Sequence, residues 1–185
     1  MSAAALPLGW RISQPPELLS TPQRGFPRGR ISEIVGERSS GRTSMLHSLL
    51  AASTTRGEHA ALVDLADAFD AASASAVGVD LAKLLWIRCG GQAEHAMRSA
   101  DLLIQAGGFG VVALDLAEAP LRELNRIPPT AWFRFRRAVE STPTVLAVFA
   151  DRPLAKSCAS MVVKLAPRRA VFTGRAPFLL LRDTV

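Results

Sequence analysis

Apolar residues return along this chain in two rhythms. Some runs are short and either alternate with polar residues or are apolar throughout. Ile31-Ser32-Glu33-Ile34-Val35 alternates and predicts a strand. His59 to Leu65 predicts a second strand, with Asp64 near its end, and Leu84 to Arg88 a short third. Val111-Val112-Ala113-Leu114-Asp115 and Thr144 to Ala150 are continuous apolar runs that meet a carboxylate, Asp115 and Asp151, at their ends. Strands buried on both faces in the middle of a parallel sheet read this way. Ser160 to Leu165 and Phe178 to Arg182 predict late strands.

Between these runs the spacing changes. Gln92 to Gln105 carries Ala93, Ala96, Met97, Ala100, Leu103 and Ile104 at helical intervals. Gly107-Gly108 closes that helix, since glycine enters the left-handed conformation that ends a helix at little cost. Thr43 to Ser53, the alanine-rich Asp70 to Ala76 and Thr130 to Ser141 predict further helices. Strands alternating with helices give an α/β fold: three layers around a mainly parallel central sheet. Residues 1–29 are different. They hold Pro7, Pro15, Pro16, Pro22 and Pro27 with Gly25 and Gly29, and predict an irregular N-terminal arm with at most a short helix around Glu17 to Leu19. Residues 30–185 then form a single domain, without an internal repeat or a linker that would divide it.

Composition narrows the class. With 185 residues, 49% hydrophobic and 21% charged, the chain is ordinary for a globular protein. No apolar run approaches the roughly 18 residues that a membrane span needs. The segment Met1 to Pro7 lacks a basic region followed by a long apolar one, so no secretory signal is expected and the cytoplasm is the predicted location. Cys89 and Cys158 lack metal-like spacing and predict reduced thiols. The net charge of +6 is uneven: from Arg122 onward the chain holds 12 Lys/Arg against 4 Asp/Glu. A basic second part predicts an acidic partner, nucleic acid or protein, unless the charge serves only solubility.

One segment carries chemistry. Gly36-Glu37-Arg38-Ser39-Ser40-Gly41-Arg42-Thr43 follows a strand and opens a helix. Apart from one position it has the spacing of a phosphate-binding loop: glycine, four residues, glycine, lysine, then serine or threonine. Such a loop curls backbone N–H groups around phosphate and adds the positive end of the helix. Arg42 stands in the lysine position, and its planar, bulkier guanidinium is not an equivalent point charge. The expected ATP-binding set is Gly36, Ser39, Ser40, Gly41, Arg42, Thr43 and Ser44, with Asp115. Thr43 and Asp115 are the expected magnesium pair, the latter as a carboxylate at a central strand's end. A vestigial loop that keeps the fold and binds nothing is the competing reading. Asp64 and Asp67 are the candidates for orienting water. His47, His59 and His95 are scattered and match no metal pattern. Trp132-Phe133-Arg134-Phe135-Arg136-Arg137 interleaves aromatics with arginines, which could stack on bases and hold phosphates. At helical spacing a buried aromatic face beside a solvated basic one is favoured.

From Gly25 to Leu116 the chain resembles the RecA family. Gly25-Phe26-Pro27-Arg28-Gly29-Arg30-Ile31 is similar to the approach to that family's first core strand, and Ser39-Ser40-Gly41-Arg42-Thr43 follows at the matching distance. Leu62-Val63-Asp64, Gly78-Val79-Asp80-Leu81 and Leu84-Leu85 continue the likeness. The resemblance implies a nucleotide-binding RecA-like domain, and its departures imply a changed activity. Ala66 stands where the family carries a catalytic glutamate, and Arg42 where it carries lysine. Ala150-Asp151 lacks the family's nucleotide-sensing amide. About ten residues separate Asp151 from the next strand, which implies that the second DNA-binding loop is largely missing. The polymerisation element is not evident in the proline-rich arm, and the family's C-terminal domain has no expected counterpart.

These departures, with Leu84-Leu85-Trp86-Ile87-Arg88 and the segment from Ala131 to Arg137, are similar to the ImuA branch of RecA-like proteins. That resemblance implies a non-filamenting accessory protein in SOS-induced translesion mutagenesis. The implied partners are an ImuB-like inactive polymerase homologue and an error-prone DNA polymerase, with DNA as a further candidate and no membrane. A DNA-stimulated ATPase of the RecA type and a SulA-like cell-division inhibitor are the alternatives.

Overall fold

Six parallel strands form the central sheet in the order β3-β2-β4-β5-β1-β6. They are β1 (Arg30–Gly36), β2 (His59–Asp64), β3 (Leu84–Arg88), β4 (Phe109–Asp115), β5 (Val145–Ala150) and β6 (Ala159–Leu165). The computed structural model describes residues 25–167, 170–175 and 178–184. The predicted helix around Glu17 to Leu19, and most of the predicted arm, lie outside the described residues.

The class read from the sequence is the class the chain adopts: α/β, with helices on both faces of a mainly parallel sheet. Helix α1 (Arg42–Thr55) covers one face. Its Met45, Leu46, Leu49 and Leu50 meet Ile34, Leu62, Ala113, Ala147 and Phe149 of the strands. Helices α3 (Ala93–Ala106) and α5 (Pro129–Glu140) cover the other, where Met97, Ile104, Trp132, Phe135 and Val139 meet Val63, Leu114, Leu146 and Val148. The short α2 (Ala71–Ala76) is capped by Asp70, whose carboxylate accepts from the Ala72 and Ser73 N–H groups.

Strand burial follows position in the sheet. Every residue of β5 is buried, as its unbroken apolar run requires. The outer strand β6 is nowhere fully buried and leaves Val162 exposed on one face. In β1, Glu33 is a buried carboxylate beside the buried Ser32. Its Oε1 accepts the Leu154 and Ala155 N–H groups, both at 2.7 Å, and so ties down the loop that follows β5. Burial of a charge demands this kind of pairing.

Three features escaped the periodicity. The four-residue α4 (Leu121–Leu124) is too short to show a helical repeat. A hairpin closes the described chain, with β7 (Ala170–Arg175) antiparallel to β8 (Phe178–Thr184), and β7 was not foreshadowed because Gly174 and Arg175 interrupt its apolar run. Helix α5 runs one residue earlier than its predicted bounds at each end, with proline at its first position, where the missing N–H costs nothing.

Candidate functional site

The loop between β1 and α1 is built by its glycines and by one serine. Gly41 sits at φ +93° and ends the loop, and Ser39 sits at φ +62°, a conformation unusual for a residue with a side chain. A Cβ on Gly36 would collide with the Ser40 side chain and crowd the Leu165 carbonyl. Ser40 thus folds over Gly36, and its buried Oγ has no hydrogen-bond partner. Such an orphaned hydroxyl is costly and calls for an explanation.

Arg42, the first residue of α1, turns inward and is only 8% exposed. Its Nη2 lies 3.0 Å from Glu118 Oε1 and its Nη1 donates to the Ala117 carbonyl at 3.4 Å. Arg38, within the loop, donates through Nε to Glu118 Oε2 at 2.9 Å. A small cavity of about 50 Å³ lies here, with Arg42, Thr43, His47, Phe69, Asp115 and Glu118 in its walls. The expected magnesium pair, Thr43 and Asp115, therefore meets in one cavity. Thr43 and Ser44 are exposed.

Asp115 ends β4 beside Asp64 at the end of β2. Its Oδ1 accepts the Ala117 N–H at 3.0 Å. Burial pushes its carboxyl up to about 6, and Asp64 and Glu118 add to the effect, while the Ala117 N–H and Arg42 oppose it. Asp64 is used differently. It is 1% exposed, and its oxygens accept the Ala68 N–H at 3.1 Å, the Phe69 N–H at 2.9 Å and the Trp86 indole N–H at 3.2 Å. Asp67 pairs with Arg88 at 3.3 Å. Neither of these two candidates for orienting water lines the cavity.

Two residues that the sequence did not single out do line it. Glu118 lies three residues past Asp115, in the loop where strand-end chemistry is commonly placed. His47 lies four residues past Thr43 and hence on the same side of α1. It is buried, its Nε2 lacks a partner, and its ring meets Phe69 edge-on at 5.6 Å. Burial holds its pKa below the ordinary histidine value. His59 is exposed at the other end of β2 from Asp64.

The residues present fit a magnesium ion in kind, because magnesium takes hard oxygen ligands and retains several waters. One hydroxyl, on Thr43, and one carboxylate, on Asp115, would hold it. Among the described residues, no group of three or more His, Cys, Asp or Glu side chains could hold a metal. They fit a phosphate chain in part: the loop and helix start are in place, and Arg42 is engaged elsewhere.

A second, larger cavity of about 360 Å³ lies between the α4–α5 connection and the loop after β5, with Ile127, Trp132, Phe133, Leu154 and Lys156 among its walls. In α5 the aromatic stripe is largely core: Trp132 and Phe135 are buried and meet edge-on at 5.9 Å. Phe133 is the exception at 56% exposed. Arg134 pairs with Asp101 of α3, and Arg136 and Arg137 are exposed with no ion pair among the described residues. Arg168 and Arg169, the other arginines of the basic segment, lie outside the described residues.

Comparison with known families settles the relationship. The RecA N-terminal domain matches residues 19–125, more than half of the chain. The chain belongs to the RecA N-terminal domain family. The RecA protein of Borrelia hermsii is 39% identical over 95 residues, 51% of this chain and 26% of that protein. The RecA protein of Methylococcus capsulatus is 40% identical over 103 residues, 55% and 29% of the two chains. That of Lactobacillus delbrueckii is 39% identical over 95 residues. This RecA-like chain spans about a quarter of the length of the curated relatives it matches. Within it, the matched region contains the loop, Asp64, Asp115 and Glu118, and the second cavity lies mostly beyond it.

Proposed function

We propose that this RecA-like chain is a non-filamenting accessory protein in SOS-induced translesion mutagenesis, acting mainly through protein partners. The observation that carries the reading is how the carboxylates around the loop are used. Asp64 is saturated by three N–H donors, Ala66 offers none of the chemistry of a carboxylate, and Glu118 is engaged by two arginines. Among the carboxylates in the cavity walls, a water that must be aligned on a phosphate finds none uncommitted except Asp115, the residue assigned to the metal.

The partners are an ImuB-like polymerase homologue and an error-prone DNA polymerase. The cavity beside α5 supports a protein contact: Phe133 stands exposed at its edge, Lys156 lies across it, and Arg136 and Arg137 follow Phe133 one turn along. A partner segment with one bulky apolar anchor and flanking carboxylates matches this surface. Exposed aromatic and arginine side chains are the residue types that anchor protein interfaces.

Co-purification with the polymerase homologue is the direct test, combined with electron microscopy in the presence of ATP and single-stranded DNA. Capture of the homologue without filaments is expected. Regular helical filaments would sink the reading. The second reading, a DNA-stimulated ATPase, draws on the meeting of Thr43 and Asp115 in one cavity. Strong DNA-stimulated hydrolysis lost on Thr43→Ala would favour it.

A further inference from the structure

The Glu118 carboxylate sits where two guanidinium groups of the phosphate loop converge. Its Oε1 takes Arg42 at 3.0 Å, and its Oε2 takes Arg38, through Nε at 2.9 Å and through Nη2 as well. One planar anion thus accepts charge-assisted bonds from both arginines of the loop, one on each oxygen. A terminal phosphate presents the same chemistry to arginine: a compact anion with several oxygens for a forked donor.

The cavity beside Arg42 and Glu118 is small, about 50 Å³, and both guanidinium groups at its edge are already engaged. The cavity is also incomplete as it stands. His47 Nε2 is buried there without a hydrogen-bond partner, in a side chain only 7% exposed, and the nearby Ser40 Oγ is orphaned too. Glu118 and Asp115 further bring two carboxylates to the same walls, which would repel an incoming anion while Arg42 is already neutralised.

We propose that Glu118 is an internal competitor for phosphate, so that the loop accepts the phosphate chain of a nucleotide only after this carboxylate leaves Arg42 and Arg38. The exchange is feasible because Glu118 remains 32% exposed and Arg38 85% exposed, so the pair closing the loop is partly solvated. The exposed Arg38–Glu118 pair contributes little, whereas Arg42, 8% exposed, needs a replacement anion when Glu118 departs, which the phosphate supplies. Departure of Glu118 frees two arginines at once. A loop with Arg42 in place of lysine then offers a forked donor to the phosphate, and Glu118 sets its affinity. This inference concerns the loop alone and does not depend on the partner reading.

The test is titration of the full chain with magnesium-ATP and, separately, with inorganic tripolyphosphate, by calorimetry. The proteins are the unaltered chain, Glu118→Gln, Glu118→Ala and Glu140→Gln, a surface carboxylate paired with Arg30 at a different position. Thermal melting establishes that each is folded. Both Glu118 variants should bind about fivefold or more tightly than the unaltered chain, because apparent affinity scales with the open fraction, and a closed state occupied about four-fifths of the time or more lowers it by that factor. Glu140→Gln should leave affinity unchanged, and adding Arg42→Ala to Glu118→Ala should erase the gain. Variants that bind no more tightly, or not at all, overturn the proposal. So does a gain that survives Arg42→Ala or is matched by Glu140→Gln, since either would mark a general change of charge. Partner capture is read separately, so loss of that interaction leaves this result intact.

Discussion

Asp64 and Asp115 are register partners at the C-terminal ends of adjacent parallel strands, yet their carboxylates serve different ends. Asp64 is tied to three N–H donors around the turn after β2. Asp115 has one backbone donor and faces the cavity with Thr43.

The difference predicts a pH effect. The folded Asp115 carboxyl lies at about 6, above its ordinary value of 3.8. The folded state therefore holds its proton more tightly than the unfolded state. Its neutral form is favoured at low pH, and the advantage is lost as pH rises from about 4 through 6. At pH 7.5 the buried charge costs on the order of 3 kcal/mol. Asp115→Asn should be more stable than the unaltered chain at pH 7.5, and the difference should vanish near pH 4. Urea unfolding at several pH values checks this, and a pH-independent difference would contradict it.

Asp64→Ala should destabilise the fold by about 2–4 kcal/mol, because it strips an acceptor from buried N–H donors. Faster hydrogen exchange at the Ala68 and Phe69 amides should accompany the loss, since those groups bond to the missing carboxylate. A catalytic Asp64 would behave differently: the variant would keep its stability and lose only turnover.

ATP turnover should be at background with or without single-stranded DNA. Ala66 and the internally paired Arg42 remove both water orientation and free charge at the phosphate. Losing even one such contribution typically lowers rates by a factor of about 100 or more. Phosphate release by the unaltered chain and by Thr43→Ala should be indistinguishable.

Arg136→Glu with Arg137→Glu should abolish capture of the polymerase homologue and leave the melting temperature within a few degrees. Both residues are exposed, and exposed charges contribute little to stability. DNA affinity of the unaltered chain should be weak even at low salt. Tight, salt-sensitive DNA binding lost in the double variant would instead place phosphate on these arginines.

The sequence by itself determined the alternation of strands and helices, the buried central strands and the phosphate-loop spacing. Each is a local pattern: an unbroken apolar run such as Val145–Ala150 fits only a strand covered on both faces, and Gly36 and Gly41 mark a backbone that other residues cannot follow. What only the tertiary structure decided is which partner each charged side chain finds. Asp64 and Asp115 look alike as strand-end carboxylates, and the turn at Ala68 and Phe69 separates their roles. Arg42 and Glu118 are 76 residues apart, and they meet because only β5 separates β1, the strand that leads into the loop, from β4 in the sheet. Hydrophobic period is written along the chain, whereas an ion pair depends on distances that exist only once the sheet has formed.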